Sequence, residues 1–260
     1  MTLHGHDTEP RPEAKQAPGT GVAGDLVSHR SRGWSLSLLY LAIGLTVAAV
    51  LAFNVFQPIK VLPRRQLAPG FSFTNQDGQR RTSEDYRGRF TVYSVTCTRC
   101  GEDADQGSAR MQSLRARLTG SDRGALKYAL ATITVDPRYD TPAVLKDHAA
   151  RFQPGGAGEP VPWDFLTGDP LRTKFVVGGG FHVYYETAPD RPAKNAAGIV
   201  LEPQFVVVDG WGIVRAQYRA DVFDVDRVLR DLDYLADESR HSSGVARLAY
   251  EAAHLFRCYP

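Results

Sequence analysis

Three cysteines occur in 260 residues, and two of them stand close together in Cys97-Thr-Arg-Cys100. Two thiols at this spacing close an intramolecular disulfide. A thiolate at the first position attacks a disulfide elsewhere, and the second cysteine resolves the mixed intermediate. A thiolate is also a soft ligand that suits Cu(I). The setting favours chemistry over two incidental buried cysteines. The pair directly follows the β-rich run Phe90–Val95 and opens a predicted helix over Glu102–Leu118, in which Met111, Leu114 and Leu118 recur at helical spacing. A helix N-terminus and the charge of Arg99 would both stabilise a Cys97 thiolate. A structural zinc site needs four ligands in a closed shell, and no second CxxC or close His pair is present. Cys258 is read as a spare thiol. Cys97 and Cys100 are therefore the candidate catalytic residues and the candidate copper ligands.

The elements that must position this pair follow from patterning. Phe71–Phe73, Asp77-Gly78 and Gln79–Thr82 read as a hairpin with an Asp-Gly turn. Leu126–Val135 reads as a strand, and Thr141-Pro142 opens a helix to Phe152 with Thr141 as its cap. Gln153–Pro162 reads as a loop. Phe205–Val208 and Ile213–Tyr218 form a hairpin around Asp209-Gly-Trp-Gly212, and Asp221–Leu235 is an amphipathic helix. Strand, helix, strand, helix, antiparallel hairpin, helix is the thioredoxin arrangement, here with an N-terminal β-hairpin extension. Asp136 would face the active-site end of this sheet. It is read first as an Asp-Pro turn opener and second as a group that tunes the Cys97 proton. His182 is read as a surface or edge-strand residue, and His148 as a solvated helix residue. A last short helix in Arg240–Pro260 would place Val245, Leu248, Ala249, Ala252 and Leu255 on one face.

Composition adds a membrane. Thirty-one basic and 29 acidic residues give a net charge of +2, which supplies no field for nucleic acid. No charged residue lies between Arg32 and Lys60, and Trp34–Phe56 is long enough at about 1.5 Å per residue to cross a bilayer core of roughly 30 Å. The expected organisation is a disordered cytoplasmic tail (1–33), one transmembrane helix (34–57), a linker (58–66), the α/β domain (67–238) and a C-terminal extension (239–260). Arg30 and Arg32 precede the span, while Lys60, Arg64 and Arg65 follow it, so flanking charge does not orient it.

At this point the residues resemble the SCO/SenC family of membrane-anchored, thioredoxin-fold proteins. The resemblance rests on Leu67–Thr74, Asp77-Gly78, Tyr86-Arg-Gly88, Thr134-Val-Asp-Pro-Arg-Tyr-Asp-Thr-Pro142, Trp163–Asp169 and Phe181–Tyr185, and covers roughly residues 67–236. It implies a single-pass protein of the bacterial inner membrane with its C-terminal domain in the periplasm, outside the cytoplasm. It also implies Cu(I) as the metal, and as partners a cytochrome c oxidase subunit or another copper-site client and a thiol–disulfide exchange partner. Two departures shift the expected chemistry. The family's motif usually has three residues between its cysteines and a Pro after the second; here there are two, and Gly101 follows. The family's third copper ligand, a His, falls by counting at Leu201. Pro203 stands where thioredoxin-like oxidoreductases carry a cis-Pro beside the CxxC, so a cis Glu202–Pro203 bond is expected and Pro203 joins the candidate catalytic residues. Thiol–disulfide exchange through Cys97 and Cys100 is the first reading. A Cu(I) metallochaperone is the alternative, and a non-catalytic assembly factor the third.

Overall fold

A computed structural model describes residues 28–56, 59–120, 127–153, 160–187 and 195–256. Residues 1–27 of the expected tail, most of the Gln153–Pro162 loop and Cys258 lie outside the described residues. The chain divides into two units, Met1–Gln57 and Pro58–Pro260. The first contains α1 (Ser28–Phe56), whose backbone begins six residues before Trp34. Its side chains are described for Leu36–Ala52, all exposed. Among the described residues no helix is long and apolar enough to cross a membrane.

The second unit opens with β1 (Gln66–Leu67), the hairpin strands β2 (Ser72–Asn75) and β3 (Arg80–Thr82), and then β4 (Phe90–Thr96). Next come α2 (Glu102–Thr119), β5 (Tyr128–Thr134), α3 (Pro142–Phe152) and β6 (Trp163–Thr167). The short α4 (Pro170–Lys174) runs into a wide turn at Phe175–Gly180, followed by β7 (Tyr185–Thr187) and β8 (Ile199–Leu201). The chain then forms β9 (Gln204–Val208), β10 (Ile213–Arg219), α5 (Val225–Arg240) and α6 (Gly244–Phe256). One eight-stranded sheet has the order β1-β10-β9-β4-β5-β6-β2-β3, and β7 pairs with β8 in a separate ladder. β4, β5 and β6 are parallel, and β9 runs antiparallel to β4. This is the expected thioredoxin-like α/β fold, with the N-terminal hairpin added through β6.

The three parallel strands are buried at every position, as strands covered on both faces must be. Alternate residues supply the two layers. Val92 and Leu130 join Met111, Leu114, Leu145 and Leu232 of the helices on one side; Tyr93, Val95, Ala131 and Ile133 join Phe71, Phe181 and the cysteines on the other. The hairpin turn is held by Asn75, whose Oδ1 accepts from the amides of Asp77 (3.1 Å) and Gln79 (2.9 Å), and Gly78 supplies the left-handed backbone there (φ 76°).

Three sequence readings change. β6 carries Asp164 at its second position, which hides it from hydropathy; the carboxylate is buried because Tyr86 Oη (2.8 Å) and Asn75 Nδ2 (2.9 Å) donate to it. The last amphipathic helix starts at Val225 rather than Asp221, capped by Asp224, whose carboxylate accepts from the Asp226 amide (3.1 Å). α6 does not seat Leu248, which is 70% exposed. Among its described side chains Ala253 is the buried apolar one, and polar ties help fix the helix: Arg64–Glu251 (3.1 Å) and His254–Glu238 (3.0 Å).

Candidate redox site

β4 ends at Thr96, and the next residue, Cys97, leaves the centre of the sheet into a tight turn closed by the Cys100 amide donating to the Cys97 carbonyl (3.0 Å). The two cysteines form a disulfide, with Cα atoms 5.2 Å apart. α2 does not begin at the pair. Gly101, at φ 75°, breaks the path, and the helix starts at Glu102. A helix end acts on charges only within about its first turn. Here that turn carries Glu102, Asp103 and Asp105, which offset its partial positive charge.

Arg99 does not deliver a free charge either. Its Nε and Nη2 donate to one oxygen of Asp136 at 3.0 and 2.6 Å, and its guanidinium lies 4.0 Å from the centroid of the Tyr139 ring. Asp136 opens its turn as expected, since its carbonyl accepts from Tyr139 (3.0 Å) and Asp140 (2.9 Å). Its carboxylate is taken by Arg99, so it holds the turn between the cysteines.

Sequence reasoning missed Asp140. This residue is wholly buried and accepts from the Thr98 amide (3.0 Å) and from the hydroxyls of Thr98 and Thr134. Three donors satisfy a buried carboxylate that would otherwise be costly. They also join the middle of the cysteine turn to the end of β5. The only signal was position: Asp140 lies in Thr134–Pro142, where Thr141 and Pro142 were read as the helix start and Asp140 was assigned nothing.

Pro203 lies between β8 and β9, half-buried, and its carbonyl accepts from Ala220 (2.9 Å). β9 pairs with β4 up to Phe205 opposite Ser94. Pro203 stands two residues before that last observed pair. Leu201, at the end of β8, is half-buried and packs against the cluster that contains both cysteines. That cluster leaves Cys97 wholly buried and Cys100 at 7% exposure. In this closed form Cys97 is shielded from a partner protein.

His182 and His148 are engaged elsewhere. His182 is exposed with φ 56°, and its Nε2 lies 3.1 Å from Gln66 Oε1, as a surface residue. His148 is buried, not solvated: Nε2 lies 3.0 Å from Ser108 Oγ and Nδ1 2.7 Å from Arg151 Nη2. Burial, and then the Arg151 charge, hold its pKa below the ordinary value. Among the described residues no group of three or more His, Cys, Asp or Glu is placed to hold a metal.

The chain matches the SCO1/SenC family over residues 60–236. It belongs to that family. A Stutzerimonas stutzeri protein named for copper binding is 26% identical over 211 residues, covering 78% of this chain and 96% of that protein. A SCO1/SenC family lipoprotein from Bacillus anthracis superposes with a TM-score of 0.57 at 22% identity, covering 67% of this chain and 97% of the other. BsSco, described as a member of the Sco family of cytochrome c oxidase assembly proteins with a disulfide switch, gives a TM-score of 0.56 at 21% identity, covering 68% and 98%. Within this family match the cysteines are two residues apart and Leu201 stands beside their cluster. Its closed pair does not fit copper. The sulfurs are bonded to each other, Asp136 and Asp140 are occupied by protein donors, and leucine has no donor atom.

Proposed function

We propose that this SCO1/SenC protein is a membrane-anchored thiol–disulfide oxidoreductase that acts on the cysteines of a copper-site client during cytochrome c oxidase assembly. The observation that carries this reading is the Cys97–Cys100 disulfide at the C-terminal end of the central strand, with its turn clamped by Asp140 and Asp136. The reduced pair supplies two electrons. The Cys97 thiolate attacks a client disulfide and displaces one client thiolate, which takes up a proton. The Cys100 thiolate then attacks Cys97 in the mixed disulfide, frees the second client thiol and restores the closed pair. Pro203, two residues before the Phe205–Ser94 pair, shapes the groove for the client strand, with a cis Glu202–Pro203 bond. Because both sulfurs are buried when joined, exchange includes a local opening of the Thr98–Gly101 turn.

Residues 34–57 anchor the chain in the bacterial inner membrane. The domain lies on the periplasmic side, where disulfides persist. A cytochrome c oxidase subunit or other copper-site protein is the client. Redox titration of the full chain, read by mass after alkylation, tests the central step. One two-electron transition is expected, lost in Cys97→Ser and Cys100→Ser; thiols that stay free under oxidising conditions exclude the proposal.

A second reading, delivery of Cu(I), is favoured by the copper-binding name of the Stutzerimonas relative, which this chain matches over nearly its whole length. In that reading copper is cargo held by the two reduced thiolates. Cu(I) titration against a competing chelator separates the readings. A site that binds no better than in Cys97→Ser removes the second.

A further inference from the structure

An open cleft of about 1010 Å³ lies at the end of β4 away from the cysteines, against Phe90. Phe90 and Cys97 are seven residues apart along an extended strand, about 23 Å at ~3.3 Å per residue. The cleft is lined by Arg64, Arg87, Arg89, Lys127 and Arg247, and by Trp211. Its carboxylates are already engaged. Arg215 pairs with Asp209 (3.0 Å) and Glu238 (2.6 Å), and Arg64 pairs with Glu238 and Glu251 (3.1 Å each). Among the described residues Arg89, Lys127 and Arg247 have no carboxylate at ion-pair distance, and Arg87 has only Glu84 at 3.4 Å. The cleft therefore carries surplus positive charge.

One side of this cleft is fixed. Asp209 Oδ1 accepts from the amides of Trp211 (2.9 Å) and Ile213 (3.0 Å), and Gly88 donates to the Gly210 carbonyl (2.9 Å). Gly212 holds φ 75°, and a side chain there would overlap the Arg87 guanidinium. This locked pair of turns displays Trp211 at 80% exposure beside Arg87 and Arg89. An exposed indole on a fixed turn, lining the same cleft as unneutralised cations, suits the headgroup level of a bilayer.

Chain length selects that occupant, an argument that rests on the membrane-anchor reading. Arg64 is seven residues beyond Gln57, so at most about 25 Å of chain separates it from the end of the span. Val61 and Leu62 are buried at 2% and 3% exposure, so the chain is already part of the domain before it reaches Arg64. We propose that this Arg/Lys cleft, with Trp211 at its lip, binds the phosphodiester headgroups of anionic phospholipids and turns the cysteine end of the domain away from the bilayer.

The test uses the full chain in phosphatidylcholine vesicles with and without phosphatidylglycerol, and in detergent with inorganic phosphate. Flotation reports attachment, and hydrogen exchange is followed over residues 86–90 and 205–214. Phosphatidylglycerol is expected to slow exchange in both segments at least about fivefold, the effect of one cation at an anionic surface. The effect should vanish in high salt and in Arg89→Glu/Lys127→Glu/Arg247→Glu, and shrink in Trp211→Ala. Equal exchange in both lipids, with the chain still floating, overturns the cleft and leaves the anchor standing. Equal protection by inorganic phosphate alone overturns the lipid assignment. A chain that floats only with phosphatidylglycerol and is protected there supports the cleft while the anchor reading fails.

Discussion

Thr98, between the two cysteines, has both its amide and its hydroxyl on Asp140, which also receives the Thr134 hydroxyl. Asn in place of Asp140 keeps one acceptor oxygen and aims an amide donor at hydroxyls that already donate. Asp140→Asn should cost about 1–3 kcal/mol in chemical denaturation, the price of a buried group left without its partner. It should also make the Cys97–Cys100 disulfide easier to reduce, because the closed turn loses its clamp; an unchanged midpoint potential would count against the clamp. Leu201→His places an imidazole at the end of β8 next to the cysteine cluster. In the reduced protein it should tighten Cu(I) binding measured against a chelator. His148 gives a pH prediction. Its folded pKa lies below the ordinary 6.5, from burial first and Arg151 second, so the unfolded chain takes up the proton more readily. Stability is then fully present above about pH 6.5 and falls as the pH drops below it. Denaturation midpoints between pH 7.5 and 5 should slope less in His148→Gln than in the native chain.

At the scale of elements, the parts legible in sequence are those whose pattern agrees with their burial. β4, β5, α2, α3 and the β9–β10 hairpin repeat apolar residues at the period of their own geometry, and Thr141-Pro142 and Asp77-Gly78 mark their boundaries chemically. β6 was not legible because Asp164 breaks its apolar run and its compensating donors come from the remote Tyr86 and Asn75. The face of α6 was misread at Leu248, which is exposed, and ion pairs to Arg64 and Glu238 help dock the helix. The cysteine pair was legible, since its two thiols stand at a strand end. The Asp140 clamp was not, since nothing local distinguishes it from a turn residue. Helix docking yields its own prediction. Burial raises the Glu238 pKa, but His254 and Arg215 outweigh it and bring it down to about 2. Stability from Glu238 is therefore present above its ordinary 4.5 and lost as the pH falls from there toward about 2. Arg215→Met would leave Asp209 without its buried partner and Glu238 without one of its partners. The expected loss is about 3–5 kcal/mol by denaturant titration.

At the scale of the whole molecule, charge is segregated along the chain. An uncharged run at 34–56 is followed in sequence by Lys60, Arg64 and Arg65 and then by the α/β domain. A chain anchored through residues 34–57 should remain with membranes through alkaline extraction and be released by cleavage within the linker. The central claim, that Cys97 and Cys100 cycle between thiols and a disulfide, is tested most directly by equilibrating the full chain across a series of thiol–disulfide buffers and counting alkylated cysteines by mass. The account predicts one two-electron transition that disappears in either serine variant. Two alkylated thiols at positions 97 and 100 throughout the oxidising range would contradict it.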